Sequence, residues 1–263
     1  MSFTATRRHW QDFESHLDAR NYFLEITRAV RAKALDIGRP HYAMSLAIGV
    51  WEAVCCGYGE LAAVEMGVAS GMGLLSLCKA ASFFRELMGI DIRVYGFDNA
   101  TGLPTVDGYR DHPELWEQGD FLLPDPERLR KKLPPFCELI IGDIADTVAS
   151  FETTLHQRKL AFASIDVDLY SSTLACFRML DWAPECYLPV VPFYFDDTED
   201  FFPYNEWCGE ELAIREFNEA HAMRKFQRHP RYRIQHFFGL HVLDHKMRTG
   251  EEKPRFPLRI SGI

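Results

Sequence analysis

A chain of 263 residues, 47% apolar and 25% charged, is long enough to bury roughly 70–75% of its unfolded surface without a disulfide or metal staple. That composition excludes collagen, coiled coil and disorder. With 29 basic against 38 acidic residues, a net charge of −9, it has the wrong sign for tracking nucleic-acid phosphates, and no nucleic-acid partner is expected.

Arg7 and Arg8 are followed by no apolar stretch, so no signal peptide is expected. The longest uncharged run, 66–78, is too short and Gly-rich to span a bilayer, so no membrane partner is expected either. Seven cysteines without a C-x-x-C read as buried, reduced thiols and point to the cytoplasm.

In chain order, a helix is predicted over 10–33, broken at Gly38-Arg39-Pro40, and a second over 42–55 before Gly57 and Gly59. From residue 61 short apolar runs alternate with helical stretches. Strands are predicted at 61–66, 92–98, 138–141, 160–166 and 190–195, with one or two closing strands in 232–243. Helices are predicted at 72–87, 126–132, 172–180 and 206–221. The alternation implies an α/β domain over 58–263, a mainly parallel sheet with helices on both faces. Residues 1–57 are expected to be a helical lid or a subunit contact of a homo-oligomer. Pro192 cannot donate to a ladder, which predicts an edge strand or a bulge there.

Ligands in such sheets bind beyond the carboxyl ends of the strands. After the first strand come Glu65, Gly67, Ser70, Gly71 and Gly73, a turn that lets backbone approach a ligand. A carboxylate at Glu65 would repel phosphates but could receive an ammonium. The second strand ends in Asp98 and Asn99, where an acid can accept both hydroxyls of a ribose or cap a turn. The third ends in Gly142-Asp143-Ile144: Asp143 can take an adenine amino group with Ile144 against the ring, or cap the next helix. Asp166 ends the fourth strand and Asp196 and Asp197 the fifth. Three carboxylates so placed suit Mg²⁺, which prefers oxygen ligands. Asp168 would face the same way as Asp166 if the strand continued, and either could be a general base. Aromatic residues between Phe193 and Trp207, among them Phe202 and Tyr204, could wall an acceptor pocket or pack the following helix. His112 could face the acceptor.

The turn from Glu65 to Gly73, Asp98 and Gly142-Asp143 resemble the cofactor motifs of class I S-adenosylmethionine-dependent methyltransferases. More narrowly, 95–104 (YGFDNATGLP), 166–173 (DVDLYSST) and 195–197 (FDD) resemble the macrocin O-methyltransferase family, which methylates sugar hydroxyls of macrolides. The likeness covers about residues 60–245. It implies a Rossmann-like, seven-stranded sheet and S-adenosylmethionine as cofactor. The acceptor it implies is a small molecule presenting a hydroxyl. It also implies Mg²⁺ held by Asp166, Asp196 and Asp197. The chain departs from the family in its prolines before and within the fifth strand and in Val167. Two other readings are a nicotinamide-dependent oxidoreductase, against which no Tyr-x-x-x-Lys occurs, and a non-catalytic protein on the same fold.

Overall fold

The computed structural model describes residues 6–32, 37–198, 203–229 and 236–257. Seven strands form one sheet: β1 (Glu60–Met66), β2 (Asp91–Asp98), β3 (Cys137–Ile141), β4 (Lys159–Ile165), β5 (Val190–Phe195), β6 (Arg224–Arg228) and β7 (Phe237–Val242). Their order is β3-β2-β1-β4-β5-β7-β6. β1 to β5 pair in parallel, and β7 runs antiparallel between β5 and β6. Every residue of β1 from Leu61 to Met66 is buried, as expected of a parallel strand covered on both faces. The helices are α1 (His16–Arg31), α2 (Pro40–Cys56), α3 (Met72–Met88), α4 (Pro126–Arg130), α5 (Ile144–Leu155), α6 (Tyr170–Cys176), α7 (Gly209–Ala220) and α8 (Lys246–Thr249).

Most predicted elements lie where expected, with local differences that have local causes. The first helix is split: a 3-10 turn at Trp10–Asp12 ends at the extended Phe13, and α1 starts after Ser15, whose hydroxyl accepts the Asp18 N–H. The helix predicted over 172–180 is α6 followed by 3-10 turns at Phe177–Asp181. The one predicted from 206 starts at Gly209, because Cys208 is extended. The β6 strand was not expected; its sequence, RKFQR, shows no apolar alternation. Of the predicted closing strand, β7 is observed and 232–235 lie outside the described residues. None of the seven cysteines is in a disulfide, and among the described residues no helix is long and apolar enough to cross a membrane.

Helix α2 begins at Pro40, whose missing N–H costs nothing at a first turn. It ends at Gly57 in the left-handed region (φ 92°). Tyr42, Leu46, Val50 and Val54, spaced four apart, are fully buried. They belong to the same core as β4 and β5, against which the helix packs. α1 covers α2 with a stripe of Ala19, Phe23, Ile26 and Val30.

Pro192 is not on an edge. β5 lies between β4 and β7, and the irregularity sits in β4 instead: Ala62 pairs with Leu160 and Ala63 with Phe162, so Ala161 is an extra residue. On β5, the Phe195 N–H points to His236 on the β7 side and the Asp196 N–H to Ile165 on the β4 side. Alternation therefore aims the Pro192 nitrogen at β4, where pairing starts only at Phe193. The Ala161 carbonyl turns instead toward α2: a β-carbon on Gly49 would lie 1.8 Å from that oxygen. Gly49→Ala must push the helix off the sheet. Overpacking minus the gain in helix propensity gives a net loss of about 2 kcal/mol. A thermal melt of the variant checks this; an unchanged or higher Tm refutes it.

Candidate functional site

The chain leaves β1 for β2 and β3 on one side, then returns to place β4 on the other. The strand order reverses at the β1/β4 pair, where crevices form in open α/β sheets. A cavity of about 450 Å³ opens there, beyond the carboxyl ends of β1, β2, β4 and β5. Of the residues singled out from sequence, Glu65, Gly67, Ser70, Gly73, Asp98, Asn99, Ile144, Asp166, Asp168, Asp196 and Asp197 line it. Gly71, Gly142 and Asp143 do not. Asp143 caps α5, accepting the Ala145 N–H at 2.8 Å, and its side chain is exposed.

The turn after β1 is shaped by the protein itself. A β-carbon on Gly67 (φ 83°) would meet the Asp166 carbonyl at 1.8 Å, and one on Gly73 would meet Glu65 Oε1 at 1.9 Å. Asp98 staples this turn to the one after β2. Its Oδ2 accepts the N–H groups of Val68 and Ala69, both at 2.9 Å, and its Oδ1 accepts that of Ala100 at 2.6 Å. Asn99 closes its own loop, donating to the Gly102 carbonyl at 2.8 Å.

Glu65, 1% exposed, is a carboxyl inside the otherwise apolar, buried stretch 61–66 of β1. Its Oε1 accepts from the Tyr42 hydroxyl at 2.9 Å, and its buried Oε2 has no hydrogen-bond partner. Burial, reinforced by Asp166, pushes its pKa well up. The Tyr42 hydroxyl also accepts from Ser164 Oγ at 2.8 Å and from Arg39 Nη1 at 3.0 Å. Arg39 Nη1 further contacts Asp166 Oδ2 at 3.2 Å. Arg39 is the only cationic side chain lining the cavity among the described residues, and sequence reasoning took it only as part of a helix break.

Four aspartates meet at the other end. β4 stops at Ile165, and Asp168 sits in the left-handed region (φ 61°). It therefore reaches the cavity by a turn and not by strand alternation, as the sequence reading had it. β5 stops at Phe195 and the chain turns at once, which brings both Asp196 and Asp197 to the cavity. Tyr194 donates to Asp196 at 2.8 Å and Tyr204 to Asp197 at 2.7 Å. Burial and the neighbouring carboxylates raise Asp166 to about 7, with Arg39 opposing, and Asp168 to about 9. Behind them Glu210, fully buried, accepts the Asp197 N–H on Oε2 at 3.0 Å and leaves Oε1 unpartnered. Sequence reasoning did not single it out: it stands beside Glu211 in the first turn of α7, where acids are ordinary. Among the described residues no group of three or more His, Cys, Asp or Glu is arranged to hold a metal ion.

The aromatic wall differs from expectation. Phe193 and Phe195 are core residues at 0% exposure, and Trp207 is exposed at 58%. Phe201 and Phe202 lie outside the described residues. Of the described aromatic residues of that run only Tyr204 lines the cavity. The loop after β2 adds Leu103, Pro104, Trp116 and Phe121 to the apolar lining. Asp111 pins that loop to α6, accepting from the N–H and hydroxyl of Ser171 at 2.8 and 2.9 Å. His112 is buried beside Tyr204 and Gly209, off the cavity lining.

No protein-family model and no curated protein matches the chain. Among solved structures it is similar to CalS11, a calicheamicin methyltransferase, at 18% identity and a TM-score of 0.55, over 91% of this chain and 99% of that one. It is also similar to the O-methyltransferase NovP, at 18% identity and a TM-score of 0.51, over 77% of each chain. The sheet order, with its reversed β7, and these two likenesses show that the chain has the Rossmann-like fold of class I methyltransferases.

Proposed function

We propose that this protein is an S-adenosylmethionine-dependent O-methyltransferase acting on a hydroxyl of a small molecule. The observation that carries the reading is the cavity at the β1/β4 reversal. It combines a glycine turn over a buried carboxyl with a second, acid-rich end bordered by Trp116, Phe121 and Tyr204. The cofactor supplies a methyl group on a sulfonium, which leaves the protein to position and to tune charge. The turn from Gly67 to Gly73, with Ser70, lies along the methionine end, and Asn99 and Ile144 flank the adenosine. Asp98 keeps one Oδ1 lone pair for a ribose hydroxyl beyond its three backbone bonds. Asp166 or Asp168 accepts the acceptor's proton. The two similar proteins support the class of chemistry: CalS11 is a calicheamicin methyltransferase and NovP an O-methyltransferase.

A divalent ion is the finer part of the proposal. Asp166, Asp196 and Asp197 are oxygen donors of the kind Mg²⁺ takes, and their crowding with Asp168 favours a cation between them. The side chains as they stand form no closed ligand set. Holding an ion there requires Asp166 to loosen from Arg39. The ion would lower the pKa of an acceptor hydroxyl.

The nicotinamide reading fits less well, because a dinucleotide-binding sheet runs 3-2-1-4-5-6 without a reversed strand between the fifth and sixth. Thermal melts decide between the two. S-adenosylhomocysteine at a hundred times its Kd should stabilise the protein by about 2.7 kcal/mol, a shift of several degrees. NADH should leave Tm unchanged; the reverse pattern overturns the proposal.

A further inference from the structure

We infer that Arg39, delivered by the segment ahead of α2, is the ligand for the α-carboxylate of the cofactor's amino-acid end, opposite Glu65 as the ligand for its ammonium. The inference rests on the functional reading above. Three observations carry it. First, Arg39 is the only cation lining the cavity among the described residues, beside the carboxylates of Glu65, Asp98, Asp120, Asp166, Asp168, Asp196 and Asp197. An anionic group entering this cavity meets one cationic side chain. Second, the arginine and the glutamate converge on one point of the glycine turn. A β-carbon on Gly73 would lie 1.9 Å from Glu65 Oε1 and 3.3 Å from Arg39 Nη1. Third, both groups keep unused capacity. Among the described residues Arg39 bonds through Nη1 alone, to Tyr42 and Asp166, which leaves the rest of its fork for a second carboxylate. Glu65 Oε2 is buried without a partner.

An anion and a cation attached to one carbon, as in an α-amino acid, match this pair. A neutral or purely anionic ligand satisfies one group and leaves the other unpaired. Tyr42 holds the two in register, accepting from Arg39 and donating to Glu65. The stretch around Gly38-Arg39-Pro40 is on this view part of the binding site, carried to the sheet edge by the burial of α2.

The test compares two ligands by calorimetry in EDTA. S-adenosylhomocysteine has the amino-acid end; 5′-methylthioadenosine has the same nucleoside and thioether without it. Arg39→Gln should weaken S-adenosylhomocysteine at least tenfold and change 5′-methylthioadenosine less than twofold. Arg39→Lys keeps a charge but not the planar fork, and should recover part of the loss. Unchanged affinity of Arg39→Gln for S-adenosylhomocysteine overturns the inference and gives Arg39 to the acceptor's side of the cavity. Equal losses for both ligands also overturn it, because they mark a disordered site. If the unsubstituted protein binds neither ligand, the cofactor reading falls and takes this inference with it.

Discussion

Replacing Asp98 with alanine is expected to lower stability by about 3–5 kcal/mol and to abolish measurable binding of S-adenosylhomocysteine. The carboxylate is 7% exposed and accepts three backbone N–H groups, from Val68, Ala69 and Ala100. Hydrogen bonds to a charged group contribute about 1.5–3 kcal/mol each. They do not add fully, since water can reach the half-buried Ala69 and Ala100. Val68 is 4% exposed, and its N–H would be left without a partner. The same bonds fix the turn through Gly67 and Ser70, so the cofactor cradle loosens with the fold.

Asp98→Asn separates the two contributions. An amide oxygen can still accept from Val68 and Ala69, while its NH2 opposes the Ala100 N–H. A loss of about 1–2 kcal/mol is expected, with S-adenosylhomocysteine affinity reduced by roughly tenfold for the weaker acceptor. A melt of Asp98→Ala that matches the unsubstituted protein would remove the stapling role.

This site shows what a sequence can and cannot display. The strands were legible because β1, β4 and β5 are buried on both faces and so read as largely apolar runs. Glu65 stood out as an acid two residues before the first glycine of the turn. The position of Asp98 was legible from its place after a strand. Its three backbone bonds were not, because they come from the fold of two turns that no periodicity records. Asp168 was read as facing with Asp166 on strand alternation, but the left-handed conformation at Asp168 replaces that alternation. Arg39 was hidden by distance along the chain: it reaches Asp166, 127 residues on, only because the Tyr42 side of α2 is buried against β4. β6 was missed because it is an edge strand with one buried residue, Phe226.

In EDTA, stability is expected to fall as pH rises from 7 to 9, and Asp168→Asn to flatten that fall. An unfolded Asp titrates near 3.9. In the folded protein burial and neighbouring carboxylates hold Asp166 at about 7 and Asp168 at about 9. Between those values the folded state binds more protons than the unfolded one, so stability declines with pH. The contribution is complete below about pH 4 and is lost through about 7 and then about 9. Glu65 and Glu210, also raised by burial, act with the same sign. His41 acts oppositely: burial lowers it to about 4, so it favours the fold as pH rises, but that gain is complete by about pH 7. Buried thiols such as Cys55 and Cys186, raised to about 12 and about 11, add to the fall above about pH 8, so the difference between the unsubstituted protein and Asp168→Asn is what isolates one raised carboxyl. Mg²⁺ adds the second half of the test. A cation needs the carboxylates ionised and competes with their protons. At a hundredfold excess over its Kd it should stabilise the protein by about 2.7 kcal/mol near pH 8 and by far less at pH 5. In an Asp166→Ala or Asp197→Ala variant the gain should vanish. A pH-independent melt would contradict the crowding of Asp166 and Asp168, and an equal response to Mg²⁺ at pH 5 and pH 8 would remove the metal from the proposed mechanism.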